Sequence, residues 1–219
     1  MRFTSLRRHP SGALLAVQLL GVLLYPLMED TGAARALFGA FGVLVLALAL
    51  WVVNRSPAVN WIAWLLAAPA VVLLLLGSWG GAPQWLVWAQ LLESALYFYA
   101  AGGLIAYMLG DHRVTVDELV AAGATFTLLA WGFAFAYSVC QALYPGSFTA
   151  AVASGNPRSW MELLFLSFTA LSGVGLGDVL PISARARALV MLEEFAGVMY
   201  IALVVSRLIG LTIVRAERP

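Results

Sequence analysis

The sequence predicts an all-α membrane protein with six transmembrane helices and a short re-entrant helix and loop between the last two. Only 11% of the 219 residues are charged, whereas a soluble domain carries about 25%. Ser56–Leu92 and Leu119–Pro157 contain no charged residue, and each is longer than the roughly 20 residues that a transmembrane helix needs. A glycine-rich segment within Ser167–Pro181 interrupts the apolar pattern just before the last span. These three observations indicate an integral membrane protein.

Apolar runs separated by proline, glycine and charged residues define six predicted spans. They are Gly12–Met28, Ala36–Val53, Pro57–Leu76, Trp85–Leu109, Val116–Leu143 and Ala184–Val214. Ser56 before Pro57 is typical of an N-cap followed by proline at the first helical position. Thr115 with Glu118 three residues later predicts a capping box, and Ser183 can cap the last helix.

A further apolar stretch is too short to cross the membrane. Asn156 followed by Pro157 again predicts a cap, here at the start of a helix over Pro157–Leu171. We therefore expect a helix that enters the membrane without crossing it.

The arginines predict the orientation of the chain, because cytoplasmic loops of membrane proteins carry an excess of positive charge. With the N-terminus in the cytoplasm, seven arginines lie on the inner side: Arg2, Arg7, Arg8, Arg55, Arg113, Arg215 and Arg218. Four lie on the outer side: Arg35, Arg158, Arg185 and Arg187. We expect both termini in the cytoplasm and the protein in the plasma membrane. The alternative is that Arg7 and Arg8 belong to a signal peptide.

Residues 172–180 follow the short helix and contain glycine at positions 173, 175 and 177. Irregular backbone at membrane depth must be buried in protein or line a water-filled path, because lipid cannot satisfy its N–H and C=O groups. Glycine permits backbone conformations with φ > 0 that other residues resist. Alternating the hand of successive residues can point their carbonyl oxygens to one side, where they replace the water shell of a cation. We therefore expect a cation site made of backbone oxygens.

The stretch GVGLGD, Gly173–Asp178, resembles the potassium-channel signature T-V-G-Y-G-D. The resemblance covers about Val116–Leu211, and the first four spans resemble the family only in number. It implies a homotetramer in the lipid bilayer, with four filters around one axis, K+ as the permeant ion and no cofactor. The implied ion-binding residues are Gly173, Val174, Gly175, Leu176 and Gly177, with K+ held by the backbone carbonyls of the first four.

The chain departs from the family pattern at several positions. Gly173 stands for the threonine, whose side-chain oxygen contributes to the innermost ion site, so we expect weaker binding there. Leu176 stands for the tyrosine, and the short helix has Phe165 and Leu166 where tryptophans are common. The residues expected to support the filter are Asp178, Thr169, Ser172, Glu193 and Glu194, with Thr169 as the nearest candidate partner of Asp178.

Glu193 and Glu194 are unusual in the last span, because a carboxylate at membrane depth is costly unless it is paired or hydrated. In one account, one of them faces a neighbouring helix and is hydrogen-bonded or protonated. In another, one braces the short helix through Ser167 or Thr169, or adds negative potential to the cavity. Adjacent residues on a helix point about 100° apart, so the two cannot have the same role.

The resemblance also implies roles for residues of the last helix. Gly197 falls where the family often has a hinge glycine. By helical spacing, the residues expected to face the cavity are Val198, Ile201 and Val205, with a narrow gate near Ile209.

The predicted domain organisation is an N-terminal four-helix transmembrane region (1–109), a cytoplasmic linker (110–118) and a pore domain (119–214). The fourth span, Trp85–Leu109, contains no arginine, whereas a voltage sensor carries several along this helix. Its one charge is Glu93, which we expect to be paired within the bundle. The N-terminal region is therefore predicted not to sense voltage.

The function implied by the resemblance is passive conduction of cations through a potassium-channel-like filter, without enzymatic activity. No basic block suggests nucleic acid as a partner. Two alternatives stay open: a weakly selective or non-selective monovalent cation channel, and a non-conducting accessory membrane subunit. In a third reading, residues 172–178 are a re-entrant turn of a transporter or an assembly factor.

Overall fold

The described part of the chain consists of six helices and two short strands. A computed structural model describes residues 10–29, 45, 47–48, 51, 60–78, 82, 84–110, 116–150 and 155–216. The helices are α1 (Pro10–Glu29), α2 (Asn60–Ser78), α3 (Gln84–Leu109), α4 (Val116–Leu143), α5 (Trp160–Leu171) and α6 (Ala184–Ala216). The strands are β1 (Phe148–Ala150) and β2 (Val179–Pro181).

Three helices of the described part are long and apolar enough to cross a membrane by length and composition. Their apolar parts are Gln84–Leu109, Glu118–Leu143 and Ala184–Arg207, and shorter apolar stretches, Ser11–Tyr25 and Trp61–Gly77, lie in α1 and α2. Helix α4 has the predicted bounds, and α3 begins one residue before the predicted start. Most of the predicted second span, 36–53, lies outside the described residues.

Helix α4 is the centre of the described packing. It packs against α1, α3, α5 and α6, and α3 also packs against α2. Small residues let membrane helices approach closely, and the buried ones are numerous here. They include Ala63, Ala67, Ala70, Ala100, Ala101, Ala121, Ala124, Ala130 and Ala134.

Polar side chains connect α4 to its N-terminal neighbours. The Ser94 hydroxyl of α3 donates to the Gly132 carbonyl at 2.8 Å. The Thr127 hydroxyl donates to Oε1 of Gln18 in α1 at 2.7 Å. Such bonds add to the packing energy where no water competes for the donors.

A two-stranded antiparallel sheet joins the end of α4 to the start of α6, so the all-α prediction is incomplete. Its register places Phe148 opposite Pro181 and Ala150 opposite Val179. Strands of three residues are too short to show the period-2 pattern by which strands are recognised in a sequence.

The start of α5 differs from the prediction. The helix begins at Trp160 instead of Pro157, and its N-cap is Ser159 instead of Asn156. The Ser159 hydroxyl accepts from the Glu162 amide at 3.3 Å, and the Glu162 carboxylate accepts from the Ser159 amide at 2.6 Å. This reciprocal capping box satisfies two amides at once, which explains why it sets the helix start.

The predicted cap of α6 is confirmed. The Ser183 hydroxyl accepts from the Ala186 amide at 3.1 Å and also donates to the Ser147 hydroxyl at 3.0 Å. The same side chain therefore starts α6 and ties it to the residue before β1. The caps predicted at Ser56 and Thr115 lie outside the described residues.

Candidate functional site

The glycine-rich loop leaves α5 through bonds to its last turn. The amides of Ser172, Gly173 and Gly175 donate to the carbonyls of Phe168, Ala170 and Thr169, at 3.1, 3.0 and 3.1 Å respectively. These bonds satisfy carbonyls that a helix leaves unpaired at its C-terminal end. The direction of the loop is therefore set by α5.

Two glycines of the loop have left-handed backbone conformations. Gly173 has φ +72° and Gly175 has φ +66°. A β-carbon in this region costs roughly 1–2 kcal/mol, so both positions favour glycine. The expectation of φ > 0 is wrong for Gly177, which does not have a positive φ.

The loop is exposed in the single chain. All residues of 173–178 are exposed, and the apolar side chains of Val174 and Leu176 are 59% and 70% exposed. An open cavity of about 800 Å³ lies beside the loop. It is lined by Ser159, Met161, Glu162, Phe165, Leu176, Gly177 and Asp178. The front of the site thus presents apolar surface and backbone that the chain itself does not cover.

The side chains expected to support the loop make mostly local bonds. The Thr169 hydroxyl donates to the Leu166 carbonyl at 2.9 Å, and the Ser172 hydroxyl donates to the Thr169 carbonyl at 3.3 Å. Asp178 is exposed, and its expected pairing with Thr169 is not among the hydrogen bonds of the described residues. Thr169 is already used by its own helix.

Glu193 is fully buried and joins three helices behind the loop. Its carboxyl group in α6 contacts the Tyr137 hydroxyl of α4 and the Ser167 hydroxyl of α5. The Ser167 hydroxyl also lies 2.7 Å from the Ala130 carbonyl of α4. A contact between Glu193 and Ser167, one of the alternatives that the sequence left open, is therefore present, whereas Glu194 is exposed. Sequence reasoning missed Tyr137, because it is one of several polar side chains in α4 and nothing in the span singles it out.

Gly197 lies against the last residue of α5. A β-carbon at this position would come within 2.0 Å of the Leu171 carbonyl oxygen and 2.7 Å of its carbon. The close approach of α5 and α6 therefore requires glycine here, independently of any hinge. The hinge role stays a prediction.

The residues expected to face the cavity lie on an open side of α6. Val198, Ile201 and Val205 are 60%, 40% and 47% exposed. The side chain of Ile209 lies outside the described part of α6. No described element covers this apolar face of α6, so it is available to another surface.

Polar contacts also hold the start of α5, and sequence reasoning missed them. The Gln141 side chain of α4 accepts from the Arg158 amide at 2.7 Å and donates to the Arg158 carbonyl at 3.0 Å. The Arg158 side chain is 3.2 Å from Glu162. Both ends of α5 are therefore anchored, one to α4 and the other to α6.

In the middle and second half of α6, two contacts reach the first turns of α4. Arg207 lies 3.5 Å from Glu118, and the Tyr200 hydroxyl donates to the Ala122 carbonyl at 2.6 Å. In the N-terminal region, Glu93 of α3 is buried, and its expected pairing is not among the hydrogen bonds and ion pairs of the described residues.

A half-length helix, an exposed glycine-rich loop and a following span define the pore-loop class of membrane proteins. Residues 118–213 match the family model described as "Ion channel". This match, which runs from α4 through most of α6, makes this part of the chain similar to ion-channel domains and supports a potassium-channel-like superfamily. No curated protein and no solved structure matches the chain significantly.

Proposed function

We propose that the protein is a potassium-channel-like passive cation channel in which four copies surround one axis. The carbonyls of Gly173, Val174, Gly175 and Leu176 coordinate the permeant ion. The observation that carries this proposal is the exposed glycine-rich loop, held at the end of a half-length helix within the part of the chain similar to ion-channel domains.

The unpaired carbonyl groups of the loop backbone support the proposal that they coordinate the permeant ion. Among the described residues, no hydrogen-bond donor reaches the carbonyls of residues 173–177. Such carbonyls are tolerated at membrane depth only where protein or water covers them. Cations that exchange their water shell for these oxygens would satisfy them.

A closed ring of identical subunits accounts for the uncovered surface. The exposed apolar side chains near the loop lie on α5, on the loop itself and on α6. They include Phe165, Val174, Leu176, Met191, Leu192, Phe195, Val198 and Met199. In a cyclic arrangement each subunit presents the same patches to its neighbours and to the central axis, so the loop of each copy meets the loops of the others.

A second candidate is a weakly selective monovalent cation channel, and Gly173 favours it. This residue has no side-chain oxygen, so the innermost site retains only backbone carbonyls and water. In either case the arginine distribution supports cytoplasmic termini, and the plasma membrane is part of the proposal.

The experiment that tests the proposal is ion flux through purified protein in liposomes, followed by recordings in planar bilayers. We expect potassium uptake above that of protein-free liposomes, with a reversal potential that shifts towards the potassium equilibrium potential under a potassium/sodium gradient. A reversal potential near zero would support the weakly selective channel. No flux from a folded oligomer would support the accessory subunit and contradict both channel assignments.

A further inference from the structure

The contacts of Glu193 determine how many protons the cluster behind the loop must contain. The cluster comprises the Ala130 carbonyl, the hydroxyls of Ser167 and Tyr137, and the Glu193 carboxyl group. These groups make three close oxygen–oxygen contacts, from Ser167 to Ala130 and to Glu193 and from Tyr137 to Glu193, and each contact needs one proton to be a hydrogen bond. The carbonyl has none to give, and each hydroxyl has one.

An ionised Glu193 leaves the cluster one proton short. Tyr137 can donate to one carboxylate oxygen, but Ser167 cannot donate both to Ala130 and to Glu193 with a single proton. A protonated Glu193 removes the deficit. Its O–H donates to Ser167, Ser167 donates to Ala130, and Tyr137 donates to the second oxygen of Glu193, so all three contacts become hydrogen bonds.

The surroundings of Glu193 also favour the neutral acid. From α4 it is faced by Tyr137, with Cys140 in the next turn; from α5 it is faced by Ser167; on α6 its neighbour is the exposed Glu194. Among the described residues, no arginine forms an ion pair with Glu193. A buried carboxylate without a cationic partner is costly in the membrane interior.

We propose that Glu193 is a protonated positioning residue that holds α5, and through it the ion-conducting loop, against α4 and α6. Ser167 lies about one helical turn before Leu171, the last residue of α5. On α6, Glu193 and Gly197 are one turn apart, so the same face of α6 contacts α5 at Ser167 and at Leu171. Loss of the proton breaks the first of these two contacts and leaves the second.

The expected pH dependence of conduction rests on the proposed channel function. The protonation state of Glu193 does not depend on that function. The neutral acid is the competent form, so conduction is retained at neutral and acidic pH and falls as alkaline pH removes the proton. The Glu193→Gln variant keeps a neutral side chain whose amide can donate to Ser167 and accept from Tyr137. It should therefore conduct like the native protein at neutral pH and lose the alkaline sensitivity.

Infrared spectroscopy of the purified full-length protein tests the proton directly, whether or not the protein conducts. We expect the carbonyl absorbance of protonated carboxylic acids at neutral pH to be reduced in Glu193→Gln and unchanged in the matched control Glu194→Gln, with the buried Glu93 contributing to the band that remains. Tyr137→Phe, which removes one donor to this carboxyl group, should shift the band. Identical carboxylic-acid bands in the native protein and Glu193→Gln would overturn the proposal, as would a band that Tyr137→Phe does not move.

Bilayer recordings from neutral to alkaline pH test the positioning role. The native protein and Glu194→Gln should lose current or potassium preference as the pH rises, and Glu193→Gln should not. Equal alkaline loss in Glu193→Gln would overturn the positioning role. Absence of current in every protein at every pH would instead contradict the channel function and leave the infrared result to decide the protonation state.

Discussion

The loop Gly173–Asp178 and the contact between α5 and α6 behind it both depend on glycine, but for different physical reasons. In the loop, Gly173 and Gly175 have positive φ and no atom within 4 Å of an added β-carbon. Behind it, Gly197 has an ordinary helical conformation and no room for a β-carbon. Replacement of glycine is therefore limited by backbone conformation in the loop and by space at the contact between α5 and α6. An exposed loop with few contacts of its own takes its position from the packed helices behind it.

The largest expected effect on stability and on ion flux is that of the variant Gly197→Ala. The new β-carbon would collide with the backbone of Leu171, and overpacking of this kind costs about 1–3 kcal/mol or more. We expect a lower thermal unfolding midpoint in detergent and loss of ion flux. The matched control is Gly102→Ala in α3, where nothing lies within 4 Å of an added β-carbon and where alanine stabilises a helix by about 0.5–1 kcal/mol. An unchanged unfolding midpoint for Gly197→Ala, combined with altered opening, would favour the hinge over the packing contact.

A smaller effect on stability but a clear effect on conduction is expected for Gly175→Ala. The strain of roughly 1–2 kcal/mol per subunit arises at the loop, so the unfolding midpoint should change little while selective flux is lost. Gly177→Ala is the control within the same loop, because Gly177 lacks a positive φ and an added β-carbon would meet its nearest neighbour at 3.6 Å. Equal losses of flux in both variants would show that backbone conformation does not distinguish the two glycines.

The smallest expected effect is the difference in potassium/sodium permeability ratio between the variants Gly173→Ser and Gly173→Ala. Both variants place a β-carbon at a residue with φ +72° and share its strain, but only serine adds a hydroxyl at the position of the signature threonine. We expect a higher potassium/sodium permeability ratio for serine than for alanine, measured from reversal potentials. The same ratio in two conducting variants would contradict the idea that a missing side-chain oxygen weakens selectivity.

Local signals in the sequence predicted most of the helices and the position of the loop. The bounds of α4 and the cap of α6 at Ser183 follow from apolar length and capping chemistry within a few residues. The start of α5 was misplaced because Asn156–Pro157 and Ser159–Glu162 are both credible starts. The bonds from Ser159 and Glu162 decide between them, since they satisfy two amides where proline satisfies none.

Contacts between distant segments could not be predicted in the same way. Tyr137 and Glu193 are 56 positions apart, and no pattern within either helix specifies the other as its partner. The pairing of β1 with β2 likewise depends on α4 and α6 bringing Phe148 and Pro181 together. The contact of Glu193 with Ser167 was one of several possibilities, because sequence alone does not fix which face of α6 meets α5.

The ladder between β1 and β2 has a mechanical consequence for α6. The sheet holds the residues just before this helix in place. Any tilt of α6 therefore pivots about its N-terminal end. Glu193 lies about 14 Å along the axis from Ala184 and Arg207 about 35 Å, at 1.5 Å per residue. The same tilt therefore displaces Arg207 about 2.5 times as far as Glu193, which contacts α5 at Ser167. A given displacement at Arg207 therefore reaches the Glu193 contact behind the loop at less than half its size.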